Sequence, residues 1–282
     1  MFTGTGTALI TPFLANGTID YDGFDRVVAT QIDAGIEALV VCGSTGESAT
    51  LDHEEKLALI ERTVRLAAKA GSSRPFVIAG TGSNVTSATI ALTREAATLG
   101  IDGALLVSPY YNKPTQRAIY RHYADVAEGV GDLPLILYNV PGRTGSNMAA
   151  ETTLRLARDY ANIVAIKEAS ADIDQACTII REAPEGFVLL SGEDSLTLPL
   201  LSIGARGVIA VVSNEVPQQF GEMVRAALAD DTAKARTLHL GLSRLMSLNF
   251  IESNPVPVKA AMASCRGPTN AMPVKKVFST TL

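Results

Sequence analysis

The chain has 282 residues, 47% of them hydrophobic, with no tryptophan, so an aliphatic core is expected in one large domain or one domain with an appendage. A formal net charge of -5 without a basic cluster argues against nucleic acid as a partner, and no apolar run approaches the length of a membrane span. Cys42, Cys177 and Cys265 are far apart, and His53, His122 and His239 form no zinc-type spacing, so neither a disulfide framework nor a metal site is expected.

From the N-terminus, an apolar strand over 5–10 leads to a helix over 21–34. A second strand, 38–42, leads to a helix over 53–70, where Leu57, Ile60, Val64 and Leu66 or Ala67 recur at helical spacing. The third strand is 76–79 with a helix over 85–99, and the fourth is 104–107 with a helix over 115–129. The fifth is 135–138 with a helix over 150–160, and the sixth is 164–169 with a helix over 173–182. The seventh is 187–190 with a helix over 196–203, and the eighth is 208–212 with a helix over 217–229. Gly35, Gly71, Gly100, Pro134, Gly186 and Gly204 punctuate the junctions.

Alternation of this kind implies a parallel sheet covered by helices. Eight units match a TIM (β/α)8 barrel, typically about 250 residues. A doubly wound open sheet is the runner-up, disfavoured because no G-x-G-x-x-G fingerprint follows any strand. After Asp230 the rhythm changes. One long helix is expected over 232–250, with Leu238, Leu242, Leu245 and Leu248 on its apolar side, then a short one over 258–263. This divides the chain into a catalytic barrel, 1–230, and a C-terminal helical extension, 231–282. Residues 265–282 show no helical or alternating pattern.

In such a barrel the site lies at the C-terminal ends of the strands. The sixth strand, Val164-Ala165-Ile166-Lys167-Glu168-Ala169, ends in a lysine. Alternation puts Val164 and Ile166 on one face, Ala165 and Lys167 on the other. Lys167 can simply mark where the strand reaches water; alternatively it is an amine held in an apolar pocket, ready to attack a carbonyl. The second strand ends in Gly43-Ser44-Thr45-Gly46-Glu47-Ser48, a loop able to hold a carboxylate or phosphate, or an ordinary polar turn. Tyr138 brings a hydroxyl to the same mouth, and Arg143 a planar cation suited to a carboxylate. Tyr110 and Tyr111 are adjacent, so at most one points into the site.

These motifs, with Tyr110-Tyr111-Asn112, the run from Tyr138 to Gly145, and Gly207-Val208-Ile209-Ala210, resemble the dihydrodipicolinate synthase / N-acetylneuraminate lyase family of class I aldolase barrels. The resemblance runs from Phe2 through Lys259, and Arg143 with the paired tyrosines points to its synthase branch. It implies that Lys167 forms a Schiff base with pyruvate, that Tyr138 shuttles protons, and that Ser44 and Tyr111 complete a hydroxyl relay. Thr45 would hold the pyruvate carboxylate, the Ile209 carbonyl would line the pyruvate site, and Arg143 would receive the carboxylate of aspartate semialdehyde. A free lysine with a pKa near 10.4 is neutral in only about four molecules in ten thousand at pH 7; lowering it to roughly 7.5 raises that to about a quarter.

The implied product is 4-hydroxy-tetrahydrodipicolinate, at the entry of the diaminopimelate route to lysine, formed without a cofactor in the cytoplasm. The resemblance also implies that Tyr111 crosses a dimer interface and that the assembly is a dimer of dimers. Another pyruvate-dependent aldolase, acting on sialic or keto-sugar acids, is the alternative, and Arg143 argues against it. A non-catalytic binding barrel is a third reading, opposed by the intact Lys167, Tyr138 and Arg143.

The chain departs from the family pattern at three places. Ser44 stands where threonine is usual. The final amphipathic helix has no counterpart in 265–282. Lysine-inhibited members bind lysine at positions matching Ser48, Ala49, His53, Asn84 and Tyr110, all present here, but a histidine and a glutamate of that site are replaced by Lys56 and Ala88. Loss of the acceptor and gain of a repelling charge lead to an expectation of weak or absent inhibition by lysine. Steady-state rates measured across a lysine titration test this, and strong inhibition at submillimolar lysine would refute it.

Overall fold

Strands buried on both faces belong in a sheet covered by helices, and the strands of this chain are almost entirely buried. The computed structural model describes residues 2–265. The first half runs β1 (Gly4–Ala8), α1 (Tyr21–Asp33), β2 (Ala38–Val41), α2 (His53–Ala68), β3 (Phe76–Gly80), α3 (Thr86–Thr98), β4 (Gly103–Val107) and α4 (Gln116–Gly129). The second half runs β5 (Leu135–Asn139), α5 (Pro141–Thr144), α6 (Ala150–Asp159), β6 (Ile163–Glu168), α7 (Ile173–Glu182), β7 (Val188–Ser191), α8 (Thr197–Ser202), β8 (Gly207–Ala210) and α9 (Pro217–Leu228). α10 (Thr232–Leu248) and α11 (Val256–Cys265) follow. No helix among the described residues is long and apolar enough to cross a membrane.

All eight strands are parallel and close into a barrel in sequence order, with Gly4 of β1 opposite Gly207 of β8. This is the TIM barrel expected from the alternation, and the β1–β8 pairing rules out the open sheet. Side chains such as Ala165, Ile136, Leu190 and Ile209 fill the barrel interior. Their strand neighbours pack outward against the helices, as Leu137, Ile166 and Val208 do.

Helix starts follow local chemistry. Asp52 and Glu55 form a reciprocal capping box on α2, and Asp20, Thr115, Asp172 and Asp231 cap α1, α4, α7 and α10 with side-chain oxygens. On α2 the buried stripe is Leu59, Ile60, Thr63 and Ala67, while Leu57 and Val64 are only partly buried. Thr63 tolerates burial because its hydroxyl donates to the Leu59 carbonyl at 2.7 Å. Leu238, Leu242 and Leu245 pack onto the core as expected, but Leu248, at the end of α10, is 43% exposed.

Two local departures shape the mouth. A register shift between β5 and β6 pairs Ile163 with Leu135 and Ala165 with Ile136, leaving Val164 as the extra residue. Val164 consequently packs toward the interior cluster instead of sharing the face of Ile166; alternation holds from Ala165 onward. The short helix α5 was not expected, although proline at its start and Gly145 with φ 75° at its end are its local signals. α11 begins earlier and ends later than the expected 258–263; the expectation for the tail beyond it, 266–282, lies outside the described residues.

A buried ion pair ties α11 to the barrel. Lys259 Nζ donates to Glu47 Oε1 at 2.6 Å and to the Thr11 carbonyl at 2.8 Å, with side-chain exposures of 1% and 0% for the pair. Burial pushes the Lys259 amine below its ordinary range while Glu47 pulls it back. Removing one partner of such a pair costs about 3–5 kcal/mol because a buried charge loses its compensation. Lys259→Met is expected to lose that amount in chemical denaturation at matched protein concentration, with part of it recovered in the Glu47→Gln/Lys259→Met double variant. A single variant as stable as the parent would contradict this assignment.

Candidate active site

Lys167 is the last interior-facing residue of β6, and the strand order decides its neighbours. It lies directly opposite Tyr138 on β5 and Leu190 on β7. In-register residues on adjacent parallel strands point the same way, so Lys167 and Tyr138 meet. The lysine is 5% exposed, with Nζ 4.4 Å from the centroid of the Tyr138 ring. No carboxylate lies within ion-pair distance of this amine among the described residues.

The strand ends around it are fixed by a buried network on the outer side. Asn139 Nδ2 donates to both oxygens of Glu168 at 3.1 Å, and its Oδ1 accepts from the Met148 N–H at 2.9 Å. Glu168 also accepts from the Ser170 N–H at 2.7 Å and from Gln175 Nε2 at 2.9 Å. The carboxylate beside Lys167 is therefore structural, holding the β5 and β6 ends in place.

A cavity of about 70 Å³ sits over Lys167, walled by Ser44, Thr45, Tyr138, Arg143, Glu193 and Asn254 among others. Ser44 and Tyr138 share this wall without a hydrogen bond between their hydroxyls. Gly43, Ser44, Leu105, Tyr138 and Arg143 also line a second cavity of about 390 Å³, so the small chamber adjoins a larger one. The larger one is bordered by Ser48, Ala49, His53, Lys56, Ala88 and Tyr110. Lys56 and Ala88 thus line the same cavity as four of the residues expected at a regulatory site. Asn84 does not border it; its Nδ2 donates to the Tyr110 carbonyl at 3.4 Å. His53 Nε2 contacts Glu95 Oε2 at 2.8 Å. Cys42 also borders this cavity, but burial pushes its thiol up to about 12, which suppresses the thiolate.

The remaining predicted residues divide. Thr45 is buried and its hydroxyl accepts from Asn254 Nδ2 at 2.9 Å. Arg143, carried by α5, donates from Nη2 to the Asn254 carbonyl at 3.2 Å. Ile209 lies in the barrel interior with Ala165 and Leu190 and borders neither cavity. Tyr111 points away: it is 87% exposed with φ 73°, and borders neither cavity. Tyr110 is the one of the pair that turns inward.

Sequence reasoning missed Asn254 and Glu193. Asn254 joins Thr45 to Arg143, and its place in Asn254-Pro255-Val256-Pro257, just before the only lysine of α11, was the available signal. Glu193 follows β7 in Gly192-Glu193-Asp194, an acidic pair at a strand end that was the available signal. Asp194 is fully buried and accepts from the Val211 and Val212 N–H groups at 3.0 and 2.7 Å, so it shapes the β8 end; burial pushes its carboxyl up to about 6.

The chain matches the model of the Dihydrodipicolinate synthetase family over residues 1–276. It is 52% identical to the 4-hydroxy-tetrahydrodipicolinate synthase of Moorella thermoacetica over 256 residues, covering 91% of this chain and 86% of that one. Among solved structures, the 4-hydroxy-tetrahydrodipicolinate synthase of Methylacidiphilum fumariolicum SolV superposes with a TM-score of 0.94 at 41% identity, covering 100% of this chain and 91% of that one. The chloride-inhibited dihydrodipicolinate synthase of Acinetobacter baumannii, complexed with pyruvate, gives 0.93 at 39% identity over 100% of this chain and 94% of that one. A closed barrel with a buried lysine at its mouth and a family match along nearly its whole length make this chain a member of the dihydrodipicolinate synthetase family.

Proposed function

We propose that this chain is a 4-hydroxy-tetrahydrodipicolinate synthase, condensing pyruvate with L-aspartate 4-semialdehyde through a Schiff base on Lys167. The observation that carries this reading is the buried Lys167 amine set against Tyr138 at the mouth of the barrel. The amine attacks the keto carbon of pyruvate and water leaves, giving an iminium. That iminium acidifies the pyruvate methyl group, and the resulting enamine attacks the aldehyde carbon. The substrate's own amine, once deprotonated, then attacks the re-formed imine carbon, closing the ring and releasing Lys167. Tyr138 moves protons in the imine and aldol steps, with Ser44 beside it on the cavity wall. Thr45 holds the pyruvate carboxylate, and Asn254 orients its hydroxyl.

Arg143 takes the carboxylate of the aldehyde. Its guanidinium is anchored to the Asn254 carbonyl by one N–H and keeps other donors for a ligand. The Ile209 carbonyl belongs to the pyruvate site in this reading, although the side chain serves the barrel core. No cofactor takes part. The outward Tyr111 supports assembly with a second copy, whose site would receive this hydroxyl; a dimer of dimers is the proposed state. The cytoplasm is the proposed compartment, supported by free Cys42 and Cys177.

The roles of Arg143 and Thr45 are separable by kinetics. Arg143→Ala is expected to reduce kcat/KM for aspartate semialdehyde about 100-fold, the scale for removing one partner of a charged contact. The KM for pyruvate should change little. A coupled assay that varies each substrate in turn reads both constants. A rise confined to the pyruvate KM would reverse the assignment.

A further inference from the structure

Among the described residues bordering the catalytic cavity, Glu193 is the one acidic side chain, facing a space that also carries Lys167 and Arg143. Its position is rigid. Ser191 Oγ donates to the Glu193 carbonyl at 2.8 Å, Thr197 Oγ1 donates to the same carbonyl at 3.1 Å, and the Glu193 N–H donates to Ser191 Oγ at 3.3 Å. The preceding Gly192 lets the β7 end approach the β6 end closely, since a Cβ there would lie 2.6 Å from the Ala169 Cβ. The Gly192 N–H also donates to the Glu168 carbonyl at 2.7 Å. Glu193 is therefore held beside the strand that carries Lys167.

This carboxylate is half-buried, yet it makes no ion pair among the described residues. Its hydrogen bonds come from Ser195 alone, whose Oγ lies 3.4 Å from Oε1 and whose backbone N–H also donates, and neither brings a full charge. Burial pushes its carboxyl above the usual range, and the Ser195 hydrogen bonds and, less, the Lys167 charge only partly offset that. A half-buried carboxylate of this kind gains when a cation enters its cavity. A second acceptor is short of a donor on the same wall: the buried Oδ1 of Asn254 has no hydrogen-bond partner.

Once the iminium has lost a methyl proton to give the enamine that attacks the aldehyde, the Lys167 nitrogen no longer carries a charge. The enzyme itself therefore offers Glu193 no cation from that side. An aldehyde bearing an α-ammonium supplies it. Arg143 and Glu193 are not paired with each other, so both stay available for opposite charges on one small molecule. We infer that Glu193 binds the α-ammonium of the aldehyde substrate, while Arg143 holds its carboxylate, so that the cavity selects an amino-acid aldehyde over one lacking the amine. This inference rests on the reaction proposed for the site.

The test compares aspartate semialdehyde with 4-oxobutanoate, which has the same carbon chain without the amine. For each aldehyde, kcat/KM is measured with saturating pyruvate in the parent and in Glu193→Gln. The parent ratio favours the amino aldehyde, and in Glu193→Gln that ratio is expected to fall about 10- to 100-fold, the range for losing a hydrogen bond between charged groups. A ratio unchanged within about twofold overturns the inference, whatever happens to the absolute rates. Borohydride trapping of pyruvate on Glu193→Gln checks that the variant retains a folded Schiff-base site. A parent chain that forms no pyruvate adduct overturns the reaction itself, a failure distinct from an unchanged ratio.

Discussion

The site depends on one register, β5 against β6, which sets Tyr138 directly opposite Lys167. Burying an ammonium costs several kcal/mol unless something compensates it. Here the nearest partner is an aromatic face 4.4 Å away, and no carboxylate lies within ion-pair distance among the described residues. A carboxylate partner would hold the amine as a salt bridge; an aromatic face stabilises it more weakly and leaves the nitrogen open to a carbonyl carbon. The acidic neighbour in sequence, Glu168, alternates to the opposite side of the strand, where Asn139, Gln175 and the Ser170 N–H satisfy it. Strand alternation thus separates the buried amine proposed as the nucleophile from a structural carboxylate one residue away. The register shift at Val164 lies upstream of this pair and leaves it intact.

A second constraint comes from the far end of the chain. Glu47, in the loop after β2, adopts φ 59° and is clasped by Lys259 of α11. Five residues earlier, Asn254 reaches Thr45 with its side chain and Arg143 with its carbonyl. Residues 254–259 therefore strap together two loops that come from different strands, one proposed to hold pyruvate and the other the aldehyde. The C-terminal extension is part of the site's scaffold in this respect, and its hydrogen bonds cross more than 200 residues of sequence.

Much of this was legible in the sequence. Eight apolar runs separated by helical patterns implied a parallel sheet covered by helices, because strands buried on both faces carry continuous aliphatic stretches. The count of eight favoured closure, and the β1–β8 pairing established it. Lys167, Tyr138, Ser44, Thr45 and Arg143 do border one cavity. What stayed hidden depended on contacts between distant segments. Asn254 and Lys259 stand in a visible Asn-Pro-Val-Pro-Val-Lys run, but neither periodicity nor spacing encodes its contacts with Thr45 and Glu47. The stripe on α2 was misplaced at Leu57 and Val64 because Thr63 counts as polar until its hydroxyl is seen to bond backward along the helix. Of the expected residues, Tyr111 and Ile209 border neither cavity, and neither does Asn84 of the expected regulatory set. Tyr111 faces outward and Ile209 belongs to the interior.

The central claim is that Lys167 is the nucleophile, and the most direct measurement is chemical trapping. The protein is treated with borohydride in the presence of pyruvate, and the modified peptide is mapped by mass spectrometry. The account predicts a reduced pyruvate adduct on Lys167, absent without pyruvate. An unmodified Lys167, or an adduct on another lysine, would contradict it.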